Sequence, residues 1–205
     1  MDFQLRTYCF IDRMQPQAAA HVAATCQGDV PVAGMSELYL EVAPGNEIFR
    51  CADVALKAAD VRPALQVVER EFGLLEIHSS NQAEVVAAGQ AVLEYLKLKK
   101  ADRIKPKVAS AMFVTNVNPY QAQLINKWRK GNLLIPGRSL YVLEVAPAAY
   151  ITLAANEAEK AAEISIVEGR ALGRFGRLFI SGTESDVQAA ARACTDAIDE
   201  LEGRE

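Results

Sequence analysis

Between Phe3 and Ile11, the apolar residues Phe3, Leu5, Cys9 and Ile11 fall on one face at a period of two. The pattern predicts a strand, and Val108 to Val114 predicts its twin. Pro16 and Pro119 follow, each at a first helical turn, where no N–H donor is needed. The helices behind them place Ala19, Val22, Ala23 and Cys26 on one stripe, and Ala122 and Ile125 on its copy. Gly28 and Gly131 are expected to end these helices as left-handed caps. A strand is expected over Leu38 to Val42, stopped by Pro44, with a copy over Tyr141 to Val145. From Glu47 to Asp60 the residues Ile48, Cys51, Ala52, Ala55 and Ala59 recur at helical spacing. Their copies are Ile151, Ala154, Ala155, Ala158 and Ala162. Stripes of alanine let a helix lie close to a sheet with little side-chain entropy lost. Ala64 to Glu71 and Leu74 to His78 read as a hairpin about Phe72-Gly73. A last helix, Asn81 to Leu96, carries Val85, Gly89, Val92 and Leu96 on one face. Each half is therefore β-α-β-α-β-β-α, an α+β layer with helices on an antiparallel or mixed sheet.

The two halves are copies. Leu40-Glu41-Val42-Ala43-Pro44 returns as Leu143-Glu144-Val145-Ala146-Pro147, 103 residues later, and the same offset pairs Phe72-Gly73 with Phe175-Gly176. A one-residue slip then aligns Ala87-Ala88 with Ala189-Ala190. A period of half the chain means two domains rather than a solenoid, whose repeats run about 20–50 residues. The charge-rich segment from Lys97 to Lys107, with a helix-stopping Pro106, marks the boundary and gives domains 1–103 and 104–205. Two fused copies also point to an assembly in which identical domains once sufficed.

Composition narrows the chemistry. Hydrophobic residues make up 51% and charged residues 23% of the 205, as in a soluble globular protein, and no run of about 18 apolar residues is present. A net charge of −4 gives no support for a nucleic-acid or anionic-membrane partner. Lys127-Trp128-Arg129-Lys130, with Tyr120, reads as dipole-favourable charge at a helix C-terminus rather than a stacking surface. Cys9, Cys26, Cys51 and Cys194 form no C-x-x-C pair, so they read as small core hydrophobes in a reducing cytoplasm. The two histidines, His21 and His78, lie in different elements and read as a helix-surface and a strand-end residue. No catalytic, phosphate-cradling or metal-binding motif appears, so no catalytic residue, metal or cofactor is expected. Glu41 and Glu144, which repeat, read as a packing or hydrogen-bonding device.

These residues together resemble the bacterial microcompartment shell domain. The resemblance is carried by the Leu-Glu-Val-Ala-Pro strand, the helix Ala52-Asp53-Val54-Ala55-Leu56-Lys57-Ala58-Ala59-Asp60-Val61, and the Phe-Gly hairpin. In ordinary shell domains the Leu-Glu-Val strand opens the domain. Here a strand and a helix precede it in both halves, as in the circularly permuted tandem shell proteins, including those of carboxysomes. The resemblance implies two tandem permuted, ferredoxin-like domains per chain and a homotrimer shaped as a pseudohexamer with a central pore. Such trimers could stack in pairs and would tile with shell hexamers and pentamers in the cytoplasm, passing small metabolites. It further implies that Lys57 and Lys160 lie at the edge between tiles, and that Glu69 and Arg70 gate the pore. The second copy has Leu172 and Gly173 at the gate positions, so one charged pair per chain would form a single ring of three. Three like charges about 8 Å apart repel by roughly 0.5–2 kcal/mol per pair at dielectrics of 80 to 20, and alternating the signs removes that cost. Two other classes stay open: a trimeric small-ligand regulator with duplicated ferredoxin-like domains, and an enzyme working between the domains.

Overall fold

The structure, a computed structural model, describes residues 3–205. Each repeat builds one four-stranded antiparallel sheet. The first contains β1 (Gln4–Ile11), α1 (Pro16–Thr25), β2 (Ser36–Ala43), α2 (Ile48–Ala58), β3 (Arg62–Glu69), β4 (Phe72–Ser79) and α3 (Gln82–Leu96). The second contains β5 (Lys107–Val114), α4 (Pro119–Trp128), β6 (Ser139–Ala146), α5 (Ile151–Ala161), β7 (Ser165–Arg170), β8 (Gly176–Gly182) and α6 (Glu184–Asp199). Strand orders are β1-β2-β4-β3 and β5-β6-β8-β7. Each β2-like strand is central because it pairs with both its hairpin-distant neighbours, and the repeat sets the same registers twice. Both units are α+β, with the same element order and the same strand order.

One face of the first sheet packs on α2 and α3. Leu5, Tyr8, Leu38, Leu40, Val42, Leu75 and Ile77 meet Ile48, Cys51, Ala52, Ala55, Val85, Ala88 and Val92 in a single apolar cluster. The expected alanine stripe of α2 is thus buried against the sheet. The face expected for β1 is corrected. A β-bulge between Leu5 and Thr7 shifts the register, so Leu5 shares a face with Tyr8 and Phe10, while Cys9 and Ile11 turn to the opposite face. The same bulge recurs between Val108 and Ser110.

Two glycine roles also differ from the expectation. Gly28 is not a left-handed cap: α1 ends at Cys26 in extended backbone, whose N–H donates to Val22 O. Gly28 is required because a Cβ there would lie 2.2 Å from Pro63 O; at Gly131 it would lie 2.3 Å from Ile166 O. Gly73 is not at the hairpin turn. It is a strand residue of β4 where a Cβ would lie 2.2 Å from Gly45 O, so the short 3₁₀ turn Gly45–Glu47 sits directly on the sheet.

The chain divides into two compact units: residues through Lys105 together with Glu202–Glu205, and Pro106–Leu201. Residues 202–205, expected in the second domain, therefore lie with the first unit. The cause is backbone pairing. Ile104 bridges Arg204 in parallel, Lys105 N–H donates to Arg204 O at 2.9 Å, and Arg204 N–H to Arg103 O at 2.8 Å. The Arg103 side chain, 6% exposed, donates to Glu202 O and Tyr8 O, at 2.7 and 2.8 Å.

Candidate functional site

The turn joining β3 to β4 holds the sequence-predicted pair. Glu69 pairs with Phe72 across the ladder, so the turn is Arg70-Glu71 rather than Phe72-Gly73. Arg70 has φ 55°, the left-handed region that an arginine avoids at a cost of about 1–2 kcal/mol. At the matching place the second unit has Gly173, with φ 89°. The two connections differ: the first closes on Arg70 and Glu71 alone, whereas the second runs from 171 to 175 between β7 and β8, with Arg170 paired to Arg177. The Arg70 side chain is 91% exposed and its Nε lies 3.9 Å from Glu69 Oε1, a loose contact between groups free to turn outward.

Beside this turn the repeated glutamates find their partners. Arg6 Nε donates to Glu41 Oε1 at 2.5 Å, and the guanidinium sits 3.5 Å over the Phe72 ring. In the second unit the glutamate is kept but its arginine comes from another strand: Arg177 Nε donates to Glu144 Oε1 at 2.7 Å. An open cavity of about 480 Å³ lies against the first turn, lined by Gln4, Pro44, Asn46, Val68, Arg70 and Phe72 among others.

Lys57 and Lys160 stand in the last turns of α2 and α5, where a cation favours the helix dipole. Lys57 pairs with Asp53 at 2.8 Å and Lys160 with Glu157 at 2.7 Å; Lys57 is 75% exposed and Lys160 36%. Glu69 and Arg70 and the two lysines are thus on separate elements.

The remaining candidates resolve into structure. None of the four cysteines is in a disulfide. Burial pushes the Cys51 and Cys194 thiols up to about 12, so neither is a thiolate at neutral pH. Among the described residues no three His, Cys, Asp or Glu side chains could hold a metal ion, and no helix is long and apolar enough to cross a membrane. Trp128 ends α4 and packs edge-on against Phe179, with Arg170 5.0 Å over its ring.

Sequence reasoning missed one cluster. On the sheet face opposite α2 and α3 lie Glu37, Tyr39, Glu76 and His78, each no more than 3% exposed. Burial pushes the carboxyls of Glu37 and Glu76 upward; in Glu37 the neighbouring Glu76 adds to it, and in Glu76 His78 opposes it. For His78, burial pulls downward, but Glu76 and Asp29 outweigh it and the net direction is up. The signal was available as period-two spacing of Glu37 with Tyr39 and Glu76 with His78. It was silent on whether that face met water or protein.

Residues 5–102 match the family model described as the CsoS1D N-terminal domain. The full 205 residues are 49% identical to the carboxysome shell protein CcmP of Synechococcus elongatus, covering 96% of that protein. The carboxysome shell protein CsoS1D of Hydrogenovibrio crunogenus is 45% identical, over 97% of each chain. Among solved structures, the fused permuted hexameric shell protein MSM0275 of the RMM microcompartment superposes with a TM-score of 0.95 at 43% identity, covering 98% of this chain and 100% of that one. The double-ringed trimeric shell protein MSM0271 of the same microcompartment also reaches 0.95, at 36% identity over 99% of each chain.

Proposed function

The chain belongs to the family of carboxysome shell proteins to which CcmP and CsoS1D belong, and from that premise we propose that it is a structural tile of a microcompartment shell, with a gated pore. Three chains form a ring of six domains, one from each repeat of each chain. A repeated head-to-tail interface closes most simply into such a ring. The tile carries no catalysis of its own; its work is to seal the shell and to pass small metabolites.

The observation that carries the pore reading is Arg70 at φ 55° where the second repeat has a glycine. Glycine would hold this positive φ at less cost, and the arginine instead brings a charge to the two-residue turn, next to that of Glu69, for use in the assembled ring. Three Glu69–Arg70 pairs meeting at a threefold axis close the opening by alternating charge. Rotation of the turn swings both side chains away and opens it. The 3.9 Å contact ties the pair only weakly, and a gap of about a few kcal/mol between the two states is one that a ligand can bias. Lys57 and Lys160, on the outward ends of α2 and α5, meet neighbouring tiles.

Exposed apolar residues repeat as well: Val30 and Val32 in the first unit, Leu133 and Ile135 at the matching places of the second, joined there by Tyr120 and Leu124. A second ring stacked face to face would cover them; the similar protein MSM0271 is a double-ringed trimer. Native mass spectrometry and electron microscopy of the concentrated protein test the assembly. Trimers, or pairs of trimers, that form flat discs or sheets support it; monomers or two-chain dimers at micromolar concentration would overturn it.

A further inference from the structure

The loop after α1 is fastened to the edge strand β3. Gln27 and Gly28 N–H donate to Ala64 O at 2.8 and 2.9 Å, and Asp29 N–H to Pro63 O at 2.9 Å. A second, side-chain fastening runs behind it. Asp29 Oδ2 lies 3.3 Å from His78 Nε2, His78 Nδ1 lies 3.1 Å from Glu76 Oε1, and Glu76 Oε2 accepts Ala64 N–H at 2.8 Å. The chain of contacts thus ties loop, β4 and β3 together through one imidazole.

Both ring nitrogens of His78 face carboxylates. An ionised carboxylate only accepts, and a neutral imidazole carries one N–H, so both contacts are hydrogen bonds only when the ring is protonated. Loss of that proton turns one contact into two facing lone pairs. The Asp29 side, 39% exposed, is the one that water can take over; Glu76 is fully buried.

Burial holds Glu37 and Tyr39, beside the ring, toward their neutral forms. Glu37 is the cross-strand neighbour of His78, and Tyr39 of Glu76. Glu37 Oε2 is buried with no hydrogen-bond partner, while Tyr39 bonds the same side chain. A second carboxylate charge beside Glu76 would be unsupported there. From β1, Cys9 faces Tyr39; from β3, Arg62 pairs with Asp29 at 3.3 Å. His21 is the one titratable residue of α1, and Cys26 follows it.

The second unit has the loop without the cluster. Gly131 N–H donates to Val167 O at 3.0 Å and Asn132 N–H to Ile166 O at 2.8 Å. At the places of Glu37, Tyr39, Glu76, His78 and Asp29 stand Leu140, Val142, Phe179, Ser181 and Asn132, none of them titratable in this range. Leu140, Val142 and Phe179 join the apolar cluster beneath α4 instead. The one buried carboxylate there, Glu168, accepts Lys130 N–H at 2.6 Å and faces Arg170 rather than a histidine.

We propose that Asp29, His78 and Glu76, with Glu37 and Tyr39 beside them, form a proton-dependent latch that holds the loop after α1 on β3 and loosens it as pH rises, in the first unit only. A tile built of two near-copies thereby has one half that responds to pH.

The sign follows from proton counts. Glu37, Glu76 and His78 all hold their protons more tightly folded than unfolded. Their contribution is present at low pH and is lost as pH rises from the unfolded carboxylate range, about 4.3, through the raised titration of His78, above about 6.5. Asp29, pulled down first by its hydrogen bond to His78, contributes stability that is already complete in that window and lasts until the ring loses its proton.

The test is amide hydrogen exchange on the assembled full chain from pH 6 to 9, corrected for the intrinsic pH dependence. The protection of Gly28 and Asp29 should fall by up to about tenfold per pH unit for each proton released on opening, while Gly131 and Asn132 stay level. Parallel changes in both loops, or none in either, would overturn the latch. Asp29→Asn, which installs the residue of the second unit at a partly exposed site, should flatten the pH dependence at Gly28 and lower the titration point of the His78 ring read by NMR. A variant whose loop and ring respond as in the wild type would equally overturn it.

Discussion

Gly28 and Gly131 show what a single residue decides. Each lets a loop carbonyl-close to an edge strand, and an added Cβ would meet backbone oxygen rather than a movable side chain. Gly28→Ala should therefore destabilise the protein by about 1–3 kcal/mol, as overpacking does, read as a lower denaturation midpoint. Gly34→Ala, at φ 90° with open space around it, should cost about 1 kcal/mol through backbone strain alone. The cysteines give a second expectation at this scale. With thiols pushed up to about 12, Cys51 and Cys194 should resist alkylation at pH 7–8 in the folded chain and react once it is denatured; rapid labelling of the native protein at either, seen by peptide mass spectrometry, would contradict their burial. The positions of these glycines were legible from the repeat, but their role was not, because a left-handed cap and a close approach select the same residue. The buried acids of the first sheet were hidden for a related reason. Alternation shows which residues share a face, and both faces of this sheet are covered.

At the scale of elements, the order β-α-β-α-β-β-α was readable because each segment keeps one period and carries its own stop. The face of β1 was not, since a bulge adds one residue without any mark in the apolar pattern. The hairpin turn was misplaced by two residues because Phe72-Gly73 looks like a turn, while the residue with positive φ is Arg70. That turn separates stability from function. Arg70→Gly should leave the fold intact and raise its stability by up to about 1–2 kcal/mol, seen as a higher thermal midpoint, while opening the pore for good. A lower midpoint would mean that the arginine serves the fold instead. The helix ends carry the other element-scale expectation. Lys57→Glu with Lys160→Glu should leave the trimer formed and abolish sheets in electron micrographs, because both side chains are exposed and neither fills the core. Sheets unchanged from the wild type would remove these lysines from the tile edge.

For the whole molecule, the repeat carried most of what could be foreseen. An offset of 103 residues implied two like domains, and two sheets of identical strand order are present. The crossing of the C-terminal residues 202–205 to the first unit was not foreseeable, because it rests on backbone pairing with residues 103–105 that no side-chain pattern announces. The asymmetries between the copies matter as much as their likeness. The Glu69–Arg70 pair and the buried acid cluster occur once per chain, in the first repeat, so the proposed ring of three would hold three of each. A high-resolution electron-microscopy structure of the assembled protein tests the central claim most directly. The account predicts three chains around one axis with Glu69 and Arg70 lining the central opening. An assembly that places this pair on its outer rim, or that has no threefold ring, would contradict it.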